Sequence, residues 1–356
     1  MKGSVFVLLT VLFVSCHSIK PFSIDYMVPA SVNFPSHLRR MLVINNVSDM
    51  TDSVLLSGED TLGVNELIRK TVYYDGVADL VAESLAEHVA ASNYFDEVLI
   101  CDSALRAGDT ISRKSTLSRE EVKELTENFG VDVILSLENL LIKSVNIITF
   151  IPEQYIFRGT LDVTVYSIVS IYFSHHDEPV TTIHAVDSIF WEKYGNIQES
   201  VASATLAKQL MKEIIDFAGN APIKYLVPNW KTANRYIYTS GSTDMRDAVV
   251  CVRNNQWDKA YEFWKQASQS KKKKLQMYAA LNTAVYCEMN DKIKEAITWA
   301  TIAHNLAREK EKIELNAESL FVHKISDYYY ITLYLSELQM REKNLAELNL
   351  QMERFK

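Results

Sequence analysis

Glycine and proline are scarce, 10 and 7 in 356 residues, too few for a collagen-like or low-complexity chain. Only Gly58 and Gly63 lie within ten residues of each other, and Val64-Asn65 follow them where a phosphate-binding loop needs Lys and then Ser or Thr. No GxGxxG or GxSxG stretch occurs, so neither a dinucleotide cradle nor a nucleophile elbow is present. No enzyme activity and no cofactor are expected. The four cysteines form no CxxC, which removes the usual spacing of a zinc site. Positive charge is also in deficit, 37 basic against 45 acidic residues for a net −8, and clustered Lys and Arg are what a nucleic-acid backbone requires. Nucleic acid is not an expected partner. Beyond the amino terminus no run of eighteen apolar residues is free of charge, so no transmembrane helix is expected.

What is present is a globular composition, 48% hydrophobic and 23% charged, over a length that suits about two domains. At the amino terminus Lys2 precedes an apolar run from Val5 to Val14, followed by Ser15 and Cys16, the layout of a signal peptide over 1–15. Phe13-Val14-Ser15-Cys16 resembles a bacterial lipobox, with Phe13 where leucine is usual. The resemblance implies acylation of Cys16 and attachment to a lipid bilayer. More than one acyl chain would make that attachment stable. No acidic cluster follows Cys16, so the expected location is the cell envelope, lipid-anchored in the outer membrane and facing the periplasm. Three of the seven prolines (Pro21, Pro29, Pro35) fall in 16–36, which reads as an extended tether.

Residues 37–220 read as an α/β domain. Met41 to Ile44 is a short buried strand, and Leu80, Val81, Leu85 and Val89 recur at helical spacing. Phe95 to Cys101 is a strand. Ser118 with Glu121 makes a capping box, Gly130 a helix stop, and Val131 to Leu137 a strand. Leu161 to Phe173 alternates with period two and is followed, after a polar turn at 174–179, by a second extended run, Val180 to Trp191: a long hairpin. A helix is expected over Glu199 to Phe217. The order, with LTENFGVDVILSL at Leu125 to Leu137, resembles the α/β domain of several envelope lipoproteins and of the TolB amino-terminal domain. That resemblance implies a non-catalytic envelope domain.

Residues 229–356 read as a helical domain, and from residue 248 the chain repeats itself at a shift of 36, pairing Cys251 with Cys287, Asn255 with Asp291, Ala260 with Ala296, Trp264 with Ala300 and Ala267 with Ala303, a register lost after residue 321. This resembles a tetratricopeptide repeat, with Ala300 replacing the aromatic. Helix pairs are expected over 244–253 with 257–268, 275–288 with 292–307, and 321–340 with 344–354. The fold class is therefore α+β, an α/β sandwich domain with a mixed sheet, followed by an all-α tetratricopeptide-like domain. As a whole the chain resembles a Bacteroidota lipoprotein family of unknown function.

Several groups bear on function. Trp257, Tyr261, Trp264, Tyr278, Tyr286 and Trp299 either line a partner-binding groove or fill the helical core. Lys271 to Lys274 are either a solvated loop or a contact for anionic lipid or an acidic protein. His175, His176 and His184 read as a polar turn and its neighbour rather than a metal site, because adjacent strand residues face opposite ways. The expected function is a membrane-anchored, non-catalytic scaffold binding envelope proteins or peptides. The alternative is an oligomeric secretion or transport component inserting β-hairpins, as in the curli-secretion channel whose α/β domain this one resembles; a second copy of the chain would then be the partner.

Overall fold

The computed structural model describes residues 19–48, 66–74, 76–101, 105–106, 116–174, 176, 178–196, 210–312 and 326–355. The proposed signal peptide, Cys16, His175, Gly58, Gly63 and most of the expected helix 199–217 lie outside them. The chain divides into two compact units, residues 29–229 with 347–356, and residues 1–28 with 230–346.

The α/β unit is built on a six-stranded mixed sheet of β2 (Arg40–Asn45), β3 (Glu66–Tyr74), β4 (Glu97–Ile100), β5 (Val133–Ile151), β6 (Ile156–Phe173) and β7 (Thr181–Gly195). The order is β4-β2-β5-β6-β7, with β3 also on β5. β5 has nineteen residues and two partners along one edge: β2 lies parallel to Val133–Leu137, and β3 antiparallel to Ile142–Thr149. Its other edge pairs antiparallel with β6, which pairs with β7 in the expected hairpin.

Helices α1 (Ala78–Ala91) and α3 (Met211–Asn220) join one core with the sheet through Val81, Leu85, Ile214 and Ala218, together with Val163 and Val165. Helix α2 (Arg119–Phe129) packs with Leu42, Ile44 and Ile134 in a second, smaller core. The Ser118–Glu121 capping box forms, and Gly130 closes α2 in the left-handed region at φ 60. At Gly219 a Cβ would lie 2.4 Å from Ser84 Oγ, so only glycine lets α3 approach α1 this closely. A short helix α4 (Ile223–Leu226) follows.

The helical unit holds α5 (Thr243–Arg253), α6 (Trp257–Ser268), α7 (Lys273–Met289), α8 (Ile293–Glu311) and α9 (Asp327–Met352). It also holds a two-stranded sheet, β1 (Ile19–Val28) with β8 (Asn229–Tyr238), so the domain expected to be all-α is not entirely helical. The fold class stands in its main outline: a mixed α/β sheet domain followed by a helical one.

Three boundaries change. The expected tether at 16–36 is folded from residue 19 onward: Ile24 and Tyr26 of β1 are buried in the helical unit, and Ala30, Val32 and Phe34 in the α/β unit. Alternate apolar side chains gain about 1.5 to 3 kcal/mol each on full burial, which a solvated tether forgoes. Pro21 fits because it points outward on a strand with a single neighbour. The expected third helix pair is instead one helix, α9, whose residues from Glu347 belong to the α/β unit. There Gln351 accepts a hydrogen bond from the Ala30 N–H and donates to its carbonyl, at 2.8 and 3.2 Å. Arg354 donates to the carbonyls of Pro35 and Leu38, both at 2.7 Å.

Candidate functional site

The repeat read from the sequence is a structural one. Asn255 and Asp291, 36 residues apart, both adopt left-handed φ, 56 and 54, in the turn between the two helices of each pair. The same turn is closed in both copies, by Gln256 N–H on the Cys251 carbonyl at 2.8 Å and by Lys292 N–H on the Cys287 carbonyl at 2.9 Å. Ala260, Ala296, Trp264, Ala300, Ala267 and Ala303 are all buried. Small residues at these positions let the paired helices pack closely, and Trp264 fills the space that Ala300 leaves smaller in the second copy.

The six aromatic candidates do not form one surface. Trp264 is fully buried, a core residue. Trp257 packs against Trp264 and Phe22 of β1, at ring separations of 6.3 and 5.4 Å. Tyr261 stacks on Tyr286 at 4.4 Å, and the Tyr286 hydroxyl donates to Asp258, which with burial pushes its pKa up to about 12. Tyr278 is covered face to face by Tyr238 of β8 at 3.5 Å. Trp299 alone lines an open groove of about 430 Å³, with Gln276, Ala280, Ile302 and Leu306 around it. The groove runs along α7 and α8 and is mainly apolar.

β8 occupies the face of α7 that the aromatics were expected to offer. Asn282 accepts from the Tyr238 N–H and donates to the Tyr238 carbonyl, each at 2.8 Å, so one buried side chain satisfies both backbone groups of a strand residue. Arg235 reaches Glu288 with two bonds of 2.9 Å. Three strand residues rise about 10 Å and six helical residues about 9 Å, so β8 runs along α7 in the opposite direction. Tyr236 stacks on Tyr330 of α9 at 4.0 Å. β1 then pairs with β8: Ser23 donates to Asn234 and Thr232 to Asp25, in opposite chain order, which marks an antiparallel pair.

A charge network underlies this strand. Glu288, with its side chain fully buried, also accepts from Arg341 at 2.8 Å. Glu337 accepts from the Tyr26 hydroxyl at 2.7 Å, Lys231 at 3.1 Å and Arg235 at 3.0 Å. Burial alone would raise the Glu337 carboxyl, but the Tyr26 hydrogen bond and the Arg235 charge hold it below its ordinary value. Burial and the bond to Asp327 raise the Tyr238 phenol far above its usual range. Every charge here is matched, and the phenols stay protonated. Burial lifts the Cys287 thiol to about 11, so it is no thiolate at neutral pH; Cys251 and Cys287 are both free.

Sequence reasoning missed β8 and its partners on α7. Their signal was present, since Ala233, Arg235 and Ile237 alternate inward, but an arginine in the buried phase breaks the apolar pattern. His184 is exposed on β7, and His176 lies edge-on to Phe173 at 5.8 Å. Among the described residues no three His, Cys, Asp or Glu side chains gather as a metal site, and no helix is long and apolar enough to cross a membrane.

No curated protein matches the chain. The family model described as a domain of unknown function (DUF6340) matches residues 246–340, from α5 into α9, and so begins after β8. A second model, described as a domain of unknown function (DUF8603), matches residues 38–238, more than half of the chain, from the lead into β2 to the last residue of β8. The strand that fills the helical face is thus shared with the sheet domain's family, and the chain belongs to the DUF8603 family.

Proposed function

We propose that this protein is a non-catalytic envelope lipoprotein, anchored through acylated Cys16, whose helical unit is a scaffold for another envelope protein. The observation that carries the scaffold reading is the groove at Trp299. The other five candidate aromatics are buried or covered by the chain's own residues, whereas Trp299, Ile302 and Leu306 line a concave apolar strip open to solvent. Such a strip suits an extended partner segment with one or two apolar side chains, held by burial without chemistry.

The test places a photo-crosslinking residue at Ile302 in the full-length protein in intact cells. A discrete protein adduct is expected, abolished by Trp299→Ala with the melting temperature changed by only a few degrees. Absence of any adduct from position 302, with adducts forming instead from the opposite face of α6, would remove the groove from the scaffold reading.

The alternative, a secretion component inserting hairpins, draws on strand length. β6 and β7 have 18 and 15 residues, beyond the ~9 to 11 a membrane-spanning strand needs. Tyr166, Val186 and Phe190 on these strands are exposed. Opposing it, Val163, Val165 and Ala185 on the other face are fully buried, and insertion would strip them from α1 and α3. Detergent-resistant rings of the lipidated chain with ion conductance would favour this reading over the scaffold.

A further inference from the structure

Helix α7 begins against the rules of helix electrostatics. Lys272 is its N-cap, with no side-chain cap, and Lys273 and Lys274 fill its first turn, which holds no acidic residue. The positive end of the helix dipole disfavours cations there by about 0.3 to 1 kcal/mol each. The other helices of the unit follow the rule, with Asp244, Asp258, Glu295 and Asp327 in their first turns. Lys273 pairs with Glu309, and Lys274 lies over the Tyr278 ring at 5.5 Å. Lys271 and Lys272 are exposed and form no ion pair among the described residues. Exposed Arg246, on α5, lines the same shallow concavity as Lys272, with Ser242, Gln269 and Ser270 as further polar groups and Asp244 as its one carboxylate, so that with Lys271 beside it the patch keeps a net positive charge.

This patch stands where the chain enters the fold. Lys274 covers Tyr278, Tyr278 stacks on Tyr238, and the antiparallel pairing of β1 with β8 sets Ile19 at the Tyr238 end. Only His17 and Ser18 separate Ile19 from Cys16, a covalent reach of at most about 10 Å. A lipid on Cys16 therefore cannot hold this end of the helical unit far from the bilayer.

We infer that Lys271, Lys272 and Arg246 form a docking surface for anionic phospholipid headgroups, so that the unit rests on the membrane instead of hanging from a tether. The position at a membrane rests on the acylated Cys16 of the proposed function, whereas the affinity for anionic lipid belongs to the patch itself. An acyl chain and a basic patch are each weak alone and stable together. In a chain of net charge −8 an anionic membrane attracts a basic face and repels the acidic remainder, which sets the orientation.

The experiment uses the chain from residue 16 with Cys16→Ser, unacylated, in cosedimentation with phosphatidylglycerol-containing or pure phosphatidylcholine vesicles. Binding to the anionic vesicles only is expected, lost at high salt. The pair Lys271→Glu and Lys272→Glu should weaken it roughly tenfold or more. The melting temperature should not fall, and Lys212→Glu on α3 should leave binding unchanged. Equal partition to both vesicle types, or anionic binding untouched by the paired reversal, would overturn the inference; so would retention on immobilised polyglutamate without vesicle binding, which points to an acidic polypeptide. Mass analysis of the amino-terminal peptide from cells tests the anchor separately: an unmodified Cys16 beside intact vesicle binding would sink the lipoprotein reading and leave the headgroup surface standing.

Discussion

The two units solve the same problem, holding an extended strand in place, by different means. In the α/β unit every strand lies in a ladder, and β5 alone is held by β2, β3 and β6 through backbone hydrogen bonds. Its interior is accordingly aliphatic: Val133, Leu135, Val163, Val165 and Val169 are fully buried, and register follows from alternation. In the helical unit β8 has one ladder partner, β1, and otherwise lies against helices, which have no free backbone groups along their sides. Side chains must do the specifying, and they are polar: Asn282 for the Tyr238 backbone, Glu288 for Arg235, Glu337 for Tyr26 and Arg235. A sheet can afford an apolar core because its polar groups are already satisfied; a strand on a helix stack cannot.

If this contrast is right, breaking the charge network should cost most. Arg235→Ala leaves the buried Glu288 with Arg341 alone, and we expect a loss of about 4 kcal/mol, the usual scale for removing one partner of a buried pair. Urea denaturation followed by tryptophan fluorescence reads it; a loss under ~1 kcal/mol would mean that water replaces the arginine and that packing, not charge, holds β8.

Asn282→Ala should cost less, about 2 to 3 kcal/mol, for two backbone groups left without partners in a buried place. Hydrogen exchange at Tyr238 should rise in this variant, while exchange in β5 stays as it was. Coupled loosening of β5 would show that the two devices are not independent.

The α/β unit has its own buried charge, and there the expected sign reverses. Glu138, at the bulge between Leu137 and Asn139, is 4% exposed and accepts from Ser170 and Tyr172, with no ion-pair partner among the described residues. Burial raises its pKa, and the two hydroxyls offset only part of the rise. A carboxyl that holds its proton more tightly in the folded chain supports folding fully below its ordinary 4.5 and loses that support as pH climbs through the folded value. Glu138→Gln should therefore stabilise by roughly 1 kcal/mol at pH 7 and by almost nothing at pH 4, on thermal melts at both pH values. Destabilisation at pH 7 would show that the ionised form is wanted.

What could be read before the structure was local. The Ser118 capping box, the left-handed Gly130 and the alternation of Leu161 to Phe173 each depend on neighbours within a few residues, and each formed. The 36-residue repeat was legible because both copies need the same small residues at the same turns. Strands β1, β3 and β8 were not legible: Pro21 and Pro29 in or beside β1 suggest a linker, Arg69, Lys70 and Arg235 interrupt the apolar phase, and the partners of β1 and β8 lie some two hundred residues apart. Of the six aromatics the sequence offered, Trp299 lines an open groove, Trp264 is core and Tyr278 is covered, a sorting that periodicity along the chain does not contain.

The sequence by itself determined the capping box and glycine stop of α2, the alternation of β6 and the positions of the helix turns, because these follow from capping chemistry and periodicity along the chain. Tertiary structure alone decided which ends join which unit. Residues 19–28 complete the helical unit, and residues 347–355 complete the α/β unit with Arg354 on the carbonyls of Pro35 and Leu38. Burial of an arginine is favourable only where distant backbone carbonyls converge on it, and no local pattern records where those carbonyls will be.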